Sequence, residues 1–467
     1  MRDITPEAAN RSQPVGGWAS PGPMNGTDTL FWRMNANPLT RSHVTWLWYL
    51  DQEPDWESFL EGCKWILAKL PRLTHRVVDT PARAGTPAWI ADPDFRLARH
   101  VHRMRLPDPA GQRELLDLVE WRNSTDFDLL HPPWEATLVE GYERGRAAII
   151  LKWHHSIGDA VTIVAAMNRL LPDSVTAGLP DPVPPSDGRT VAPPQPSLSW
   201  AARGVVDGIR AAVRGAGLML SSPGRAGERS RLLGRFGAQV FQPIASSPLL
   251  RDRSSASRIG MVTVPLADLK AVGKAAGVSV TSAYVAAVLE AFGRYHEHHG
   301  VFRRSLPTLV PVNIREPSET GAGNIIASVR IAGPIGDMSA LARMARVHAA
   351  ITEARDVVVR DVYTTLADLG SWVPGPIHQW LVPPMLRSAV DLVVTSVPGF
   401  SRDTYAAGAR VVNAVAWAPR GAAAANMTLL SHEGTCTVGT NLDPAAVPDT
   451  DFFHHCLEQS LNDLAGI

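Results

Sequence analysis

Two adjacent histidines, His154 and His155, lie in the stretch WHHSIGDA, and Asp159 follows the second of them by four residues. An imidazole titrates near neutral pH and can accept a proton from a reacting group, while a nearby carboxylate can order the loop around it. These residue types at this spacing predict a general base. The alternative is a structural pair of histidines whose polar atoms bond to the backbone.

The flanking segments predict how the histidines are positioned. Residues 136–141 and 147–153 are apolar runs separated by a polar turn, which predicts a β-hairpin whose second strand leads directly into His154. The apolar pattern after Asp159 predicts a helix. A base at the end of a buried strand is held rigidly, as the alignment of proton transfer requires.

Two further histidine pairs serve as comparisons. His298 and His299 lie at the predicted end of a helix, and His454 and His455 lie in a helix-like run. Neither pair follows a buried strand or has an aspartate four residues later, so we expect exposed or partly packed helical side chains. No histidine or cysteine spacing in the chain matches a metal or disulfide framework, so no metal site is expected.

The sequence predicts an α/β (α+β) protein with two mixed regions and a long linker. Eight prolines between residues 172 and 196 favour extended, linker-like chain. The predicted boundaries are residues 1–171, 172–257 and 258–467. In the third segment, the patterns predict helices at 266–276 and 282–295 and strands at 306–312, 325–331 and 392–397.

Composition excludes several classes of protein. The chain has 467 residues, 19% of them charged, and a formal net charge of zero, which argues for a large core and against disorder or a surface built for nucleic acid. No signal peptide and no apolar stretch of about 18 residues is visible in the sequence. A cytoplasmic protein is therefore predicted.

The zero net charge conceals a strongly basic segment. Residues 200–258 contain ten arginines and three acidic residues, a local charge of +7 that the rest of the chain balances. An approximately helical apolar stripe runs through part of this segment. A basic amphipathic segment can lie on an anionic membrane or a lipid droplet, which predicts a peripheral location. The alternative is a solvated linker whose helix packs on the body of the protein.

The stretch HHSIGDA resembles the HHxxxDG motif of CoA-dependent acyltransferases, and the whole chain resembles the bacterial wax ester synthase/diacylglycerol acyltransferase family. Further segments follow in the family's order. They are 23–32, similar to its SPxDxxFW-like opening; 132–135 (PPWE), similar to PLWE; 310–315 (VPVNIR), similar to VPVSxR; Gly323-Asn324, similar to GN; and 394–399 (VTSVPG), similar to TNVPG.

This resemblance implies two chloramphenicol-acetyltransferase-like domains with a reaction tunnel between them. It implies that His155 takes the proton of an alcohol hydroxyl, whose oxygen then attacks the thioester of an acyl-CoA. The substrates would be a long-chain acyl-CoA and a hydrophobic alcohol, diacylglycerol or a fatty alcohol, and the product triacylglycerol or a wax ester. No cofactor is implied, because acyl-CoA enters as substrate. The chain has no GxSxG element, consistent with a reaction that needs no covalent enzyme intermediate.

The resemblance also assigns roles around His155. Asp159 would turn away from the substrate and pair with Arg315, which would hold the histidine loop and join the two domains. An ordinary surface arginine is the alternative for Arg315. His154 would pack or hydrogen-bond within the loop.

Four residues are implied as substrate or oxyanion contacts, namely Thr281, Ser282, Asn324 and Ser396. The pair Thr281-Ser282 stands where the family has Asn-Asp, and Ser282 cannot supply a carboxylate. Ser396 replaces a frequent asparagine.

Two further residues differ from the family's pattern. Ala160 stands in place of the motif's glycine, and His432 stands where an aromatic residue is common. An alanine at position 160 costs about 1 kcal/mol or more if the position requires a positive φ. Two alternatives therefore stay open: a weakly active or inactive lipid-binding member of the same fold, and an acyltransferase with another acceptor.

Overall fold

A computed structural model of the chain describes residues 18, 21–80, 83, 85–143, 145–174, 234, 242–314, 323–324, 326–357, 367–368, 370–371, 373–400 and 402–466. Most of the predicted linker lies outside the described residues, including all of its Arg-rich part from 200 to 241 except Gly234, as does Arg315.

The helices and strands are, in chain order, β1 (Gly22–Pro23), α1 (Gly26–Met34), β2 (His43–Leu50), α2 (Trp56–Lys69), β3 (His75–Val78), β4 (Ala88–Ala91), β5 (Val101–Arg105), α3 (Gln112–Ser124), β6 (Trp134–Tyr142), β7 (Arg146–His154), α4 (Ala160–Leu170), β8 (Arg258–Pro265), α5 (Leu266–Ala276), α6 (Val280–His298), β9 (Ser305–Asn313), β10 (Ile326–Pro334), α7 (Ala340–Val357), α8 (Gly375–Ala389), β11 (Leu392–Phe400), β12 (Tyr405–Ala406), β13 (Ala409–Trp417), β14 (Ala425–His432), β15 (Thr435–Leu442) and α9 (Thr450–Ala465).

The strands form two six-stranded sheets and a small three-stranded sheet. The first large sheet has the order β12-β13-β2-β7-β6-β5, the second has the order β10-β9-β11-β14-β15-β8, and the small sheet has the order β1-β4-β3. Both large sheets mix parallel and antiparallel neighbours, because β5 runs parallel to β6 and β11 runs parallel to β9 and β14. The predicted α/β (α+β) class with two sheet-rich halves is confirmed.

The elements predicted around the histidines are confirmed with small changes at their ends. The predicted hairpin is β6 and β7, and β7 ends at His154. The helix predicted after Asp159 is α4. In the second half, α5 ends at Gly277, whose left-handed backbone (φ 66°) terminates the helix.

Strand β13 connects the two halves. It follows β11 of the second sheet in the chain, yet it pairs antiparallel with β2 of the first sheet, from Val411 opposite Leu50 to Trp417 opposite Thr45. It also packs on β15 of the second sheet, where a Cβ at Gly439 would collide with the carbonyl oxygen of Ala416. The absence of a side chain at Gly439 therefore allows one strand to contact both sheets.

Helix α6 is the central helix of the second half, with Tyr284 and Phe292 fully buried among residues from the sheet and from α5, α7 and α9. No single helix in the described part of the chain is long and apolar enough to cross a membrane. Among the described helices, the consecutive pair α5 and α6 reaches that length and composition together, with a bend of 98° between them.

Candidate active site

The end of β7 sets the position of both histidines. The backbone N–H of His154 donates to the carbonyl of Pro133 (2.9 Å), and that of His155 donates to the carbonyl of Ser42 (2.7 Å). Residues His155–Ile157 form a single 3-10 turn, after which α4 begins at Ala160. Backbone segments on both sides therefore fix this histidine turn, which we define as residues 154–158.

The ring of His154 is fully buried and bonded within the histidine turn. Its Nδ1 accepts a hydrogen bond from the backbone N–H of Ser156 (3.1 Å) and lies 2.8 Å from Ser156 Oγ. The ring edge meets Trp32, with centroids 5.2 Å apart. Burial lowers the pKa of His154 well below its ordinary value, and the neighbouring His43 and His155 lower it further. His154 is therefore neutral, and it bonds within the loop as the sequence predicted.

His155 has the more open imidazole of the two. Its ring stacks on Phe31 of α1 at 4.1 Å, with an interplanar angle of 11°, and the residue is half-buried. Its Nδ1 is buried and has no hydrogen-bond partner among the described residues. Burial lowers the pKa of His155, and the charge of Asp159 partly opposes that effect. An imidazole in this state is neutral near pH 7 and able to accept a proton.

Asp159 is buried and forms the N-cap of α4. One carboxylate oxygen, Oδ1, accepts from both the backbone N–H and the hydroxyl of Thr162, each at 2.7 Å. Ala160 is the first residue of the helix and does not have a positive φ. The alanine therefore causes no backbone strain. Because Arg315 lies outside the described residues, its ion pair with Asp159 stays a prediction.

Asn324 joins the histidine turn to the rest of the protein. Its Nδ2 donates to the carbonyl oxygen of His155 (2.7 Å) and to Oδ1 of Asp28 (2.6 Å), and its backbone N–H donates to the same oxygen of Asp28 (2.9 Å). Beside it, Gly323 and Gly158 form a parallel β-bridge. The turn from the first half is thereby bonded to a segment of the second half.

Asp28 is the residue of this cluster that is not among the predicted site residues. Its place in the opening segment 23–32, which resembles the family, is the signal that could have identified it. Burial raises the pKa of Asp28 to about 7, although the hydrogen bonds from Asn324 and the charge of Arg72 oppose the increase; Asp159 adds to it. The carboxyl is thus close to half-protonated at neutral pH.

The other three predicted contact residues have hydrogen-bond partners or positions outside this cluster. Ser282 bonds with Ser279 at the start of α6, and its Oγ lies 3.1 Å from Nδ1 of His348. Thr281 is half-buried in the first turn of α6, and Ser396 is half-buried in β11. Within the described ranges, no hydrogen bond joins these three residues to the histidine turn. Their roles as substrate contacts stay predictions.

The comparison histidines behave as the sequence predicted. His298 and His299 are exposed at the end of α6, where the ring of His298 packs on Phe452. His454 in α9 is partly packed, with its Nε2 2.7 Å from the hydroxyl of Thr440. Elsewhere, His432 is buried, and its Nε2 donates to the carbonyl of Val411 (2.8 Å).

Comparison with solved structures gives the fold class of the protein. A solved wax ester synthase/diacylglycerol acyltransferase from Marinobacter aquaeolei VT8 has a similar structure, with a TM-score of 0.64 at 22% identity over 95% of this chain and 100% of that one. The first condensation domain of the calcium-dependent antibiotic synthetase has a TM-score of 0.61 at 15% identity, covering 96% of each chain. The two-sheet architecture is therefore that of the acyltransferase and condensation-domain fold.

Sequence comparison then gives the family. The model of the wax ester synthase/diacylglycerol acyltransferase catalytic domain matches residues 24–284, and that of the family's C-terminal domain matches residues 322–465. A putative diacylglycerol O-acyltransferase of Mycobacterium tuberculosis is 34% identical over 451 residues, 94% of this chain and 91% of that protein. A probable diacylglycerol O-acyltransferase of the same species is 28% identical over 77% of both. The chain belongs to the wax ester synthase/diacylglycerol acyltransferase family.

Replacing Asp28 by Asn should change how stability depends on pH. The folded protein holds the Asp28 proton up to a pKa of about 7, whereas an aspartate in an unfolded chain loses it near pH 3.9. Between these values the folded state binds more protons, so wild-type stability should fall as the pH rises, by on the order of 4 kcal/mol in total. Asp28→Asn keeps an acceptor for Asn324 but has no proton to lose, so its dependence should be flatter.

Urea unfolding followed by tryptophan fluorescence between about pH 4 and pH 8 measures this difference. The matched control is Asp55→Asn, which changes an exposed N-cap aspartate of α2 and should keep the wild-type slope. An Asp28→Asn protein with the same slope as wild type would contradict the raised pKa.

Proposed function

We propose that this chain transfers a long-chain acyl group from acyl-CoA to a hydrophobic alcohol, diacylglycerol or a fatty alcohol, with His155 as general base. The observation that supports it is a neutral, half-buried imidazole held at the end of β7, where the two halves meet, in a chain of this family. The product is triacylglycerol or a wax ester. No cofactor is needed, because acyl-CoA is consumed as a substrate.

The proposed reaction proceeds by direct transfer. His155 takes the proton of the alcohol hydroxyl as the oxygen forms a bond to the thioester carbonyl carbon. The resulting tetrahedral oxyanion collapses, the carbon–sulfur bond breaks, and the CoA thiolate recovers the proton from His155. General-base catalysis of this kind contributes about 10²–10⁴ in rate, and the remainder comes from positioning and oxyanion stabilisation.

The surrounding residues have proposed supporting roles. His154 and Asn324 hold the histidine turn through the hydrogen bonds described above. Asp159 caps α4 and, in the proposal, pairs with Arg315. The hydroxyl groups of Thr281 and Ser396 are the candidates for contact with the substrate or the oxyanion. Ser282, which bonds with Ser279 and lies beside His348, would act through the start of α6.

Replacing His155 by Ala should lower kcat/KM by about 10²–10⁴, because the general base is lost. A CoA-release assay with palmitoyl-CoA measures this with diolein, hexadecanol and a short polar alcohol as acceptors. His298→Ala, which removes an exposed histidine at the end of α6, is the matched control and should retain wild-type activity.

Each outcome of this assay has a separate meaning. Equal activity of wild type and His155→Ala would exclude His155 as the base. Activity with the short polar alcohol alone would favour another acceptor class. No release with any acceptor would favour a lipid-binding member of the fold without catalysis.

The pH profile should report the charge of Asp159. Burial places the pKa of His155 below its ordinary value, so the acid limb of kcat/KM should lie below about pH 6.5. The Asp159 charge raises that pKa, so Asp159→Asn, which can still cap α4, should move the acid limb to lower pH.

The control is again Asp55→Asn, which changes the exposed N-cap of another helix, α2, and should leave the limb in place. Movement of the limb to higher pH in Asp159→Asn would refute the electrostatic coupling between Asp159 and His155.

We also propose that the enzyme works at a membrane or lipid-droplet surface. Helix α8 supports this with four large apolar side chains on its solvent face: Trp380 is 77% exposed, Leu381 51%, Ile377 50% and Met385 45%. The opposite face, which includes His378, is buried, and α8 packs on α1. The helix contains no acidic residue, and Arg387 is exposed in its last turn. A contiguous exposed apolar patch of this kind is typical of an interaction surface.

Polar replacement of this face should weaken binding to vesicles. Trp380→Ser with Leu381→Ser removes two side chains whose burial is worth about 1.5 kcal/mol or more each, so partitioning should fall by at least about tenfold. Co-sedimentation with phosphatidylcholine/phosphatidylglycerol vesicles measures it. Phe302→Ser is the matched control, because Phe302 is 84% exposed but lies outside α8.

A variant without residues 197–237 measures the separate contribution of the Arg-rich segment. Unchanged partitioning of the Trp380→Ser, Leu381→Ser protein would reject α8 as the docking surface.

A further inference from the structure

The first half contains a large apolar cavity that the proposed reaction does not use. It has a volume of about 490 Å³ and lies between the first sheet and helices α2 and α4. Trp48 and Trp153 line it from the sheet, Cys63 and Ile66 from α2, and Ile163 from α4. An engineered cavity of about 150 Å³ can hold benzene, and ligand pockets commonly measure about 300–1,000 Å³. The cavity is therefore large enough for a ligand of many carbon atoms.

The lining of this cavity stops short of the two histidines. Its lining includes neither His154 nor His155. It does include Trp153 and Ile157, the residues that precede and follow the two histidines and Ser156 in the sequence. The ring of His155 instead stacks on Phe31, which is not part of the lining. A ligand in the cavity would contact the residues on either side of the histidines and Ser156.

The cavity opens to the surface beside helix α2. Ser58 and Glu61 of α2 and Gly408 belong to its lining and are exposed. Deeper along the same helix, Cys63 and Ile66 are only partly buried. Apolar side chains facing a space of this size gain free energy when an apolar ligand covers them. A long, narrow ligand can enter at the exposed end of the cavity and extend towards Ile157.

The chemistry of the lining residues indicates the class of ligand. Its side chains are mainly aromatic and aliphatic, which suits a hydrocarbon chain and not the phosphates of CoA. Glu61 at the opening repels an anionic head group, whereas the Ser58 hydroxyl can bond to a hydroxyl or an ester. We propose that this cavity binds one hydrocarbon chain of a neutral lipid, a long-chain alcohol or a glyceride, at a site additional to that of the reacting substrates.

Such a ligand would support the histidine turn from behind. Ile157 is 1% exposed and belongs to the cavity lining, and its backbone is part of the turn that carries His155. A chain packed on Ile157 adds contacts to this wall and so favours the ordered turn. This proposal does not depend on the acyl-transfer step, so it can fail or succeed separately.

Cys63 provides a site-specific test. It lines the cavity, whereas Cys436 and Cys456 are fully buried in the second half, so alkylation of the folded protein reports on Cys63. Burial raises the pKa of Cys63 to about 12, so its reaction with N-ethylmaleimide at pH 8.5 should be slow and limited by access. Hexadecanol, delivered from cyclodextrin at about ten times its Kd, should slow labelling about tenfold by occupancy.

The labelling is run without acyl-CoA, on wild type and on His155→Ala. Protection in both proteins supports the cavity site whatever the fate of the general-base assignment. Hexane-1,6-diol and empty cyclodextrin are the controls and should not protect. A labelling rate at Cys63 that saturating hexadecanol leaves unchanged would overturn the proposal.

Fluorescence quenching gives a second measurement. Five tryptophans line the cavity, Trp18, Trp48, Trp65, Trp134 and Trp153, so 9,10-dibromooctadecanol bound there should quench emission. Ile66→Phe with Leu67→Phe fills the cavity from α2 and should remove the saturable quenching. Lys64→Phe places the same ring on the exposed side of α2, outside the lining, and should quench like wild type.

Thermal unfolding checks that the filled variant folds, and the wild-type labelling result decides the matter if it does not. A folded Ile66→Phe, Leu67→Phe protein that binds the brominated alcohol with wild-type affinity and amplitude would place the lipid elsewhere and overturn the site.

Discussion

The structure of this site depends on one buried amide. The Nδ2 group of Asn324 donates to the carbonyl of His155 and to the carboxyl of Asp28, groups that are 169 and 296 residues away in the chain. All three segments must be in place before both hydrogen bonds can form. Because an unpaired buried polar group costs about 1–3 kcal/mol, the Asn324 amide strongly favours the arrangement in which the histidine turn, α1 and the second half meet. The alignment of His155 is therefore a property of the assembled fold and not of the local motif.

The electrostatics of the cluster follow from the same burial. Removal from water disfavours charge on His154, His155 and Asp28, so the two imidazoles become weaker bases and the carboxyl becomes a weaker acid. The Asp159 carboxylate accepts the backbone N–H and the hydroxyl of Thr162 at the N-terminus of α4. The site thus combines a neutral imidazole with a nearby carboxylate whose charge favours the protonated form of that imidazole. That combination suits an imidazole that must gain a proton and then release it.

The sequence predicted the local elements well because their patterns are local. Strand β7, helix α4 and the end of α5 at Gly277 follow from apolar runs, a capping aspartate and a terminal glycine. The motif predicted His154, His155 and Asp159 as neighbours in one short stretch, and the resemblance implied Asn324 as a substrate or oxyanion contact. The hydrogen bond from Asn324 to the carbonyl of His155 was not predicted. Asp28 was not predicted as a site residue, because this buried carboxyl acquires its role from a partner almost 300 residues away. The pairing of β13 with the first sheet and the cavity behind Ile157 also arise from long-range packing. The periodicity of apolar residues in the sequence does not encode such packing.

Apolar contacts surround the histidine turn on two sides, and this bears on which nucleophile reacts. Phe31 of α1 stacks on the ring of His155, and α1 in turn packs on α8, whose outer face is apolar. Behind the turn, Ile157 faces the cavity. In the proposed reaction, a base that activates an alcohol would equally activate water, and water would hydrolyse the proposed acyl-CoA thioester. Exclusion of water by apolar surroundings prevents that side reaction and strengthens the electrostatic interactions of the site. A hydrocarbon chain in the proposed cavity site would extend the apolar surroundings of the turn behind Ile157.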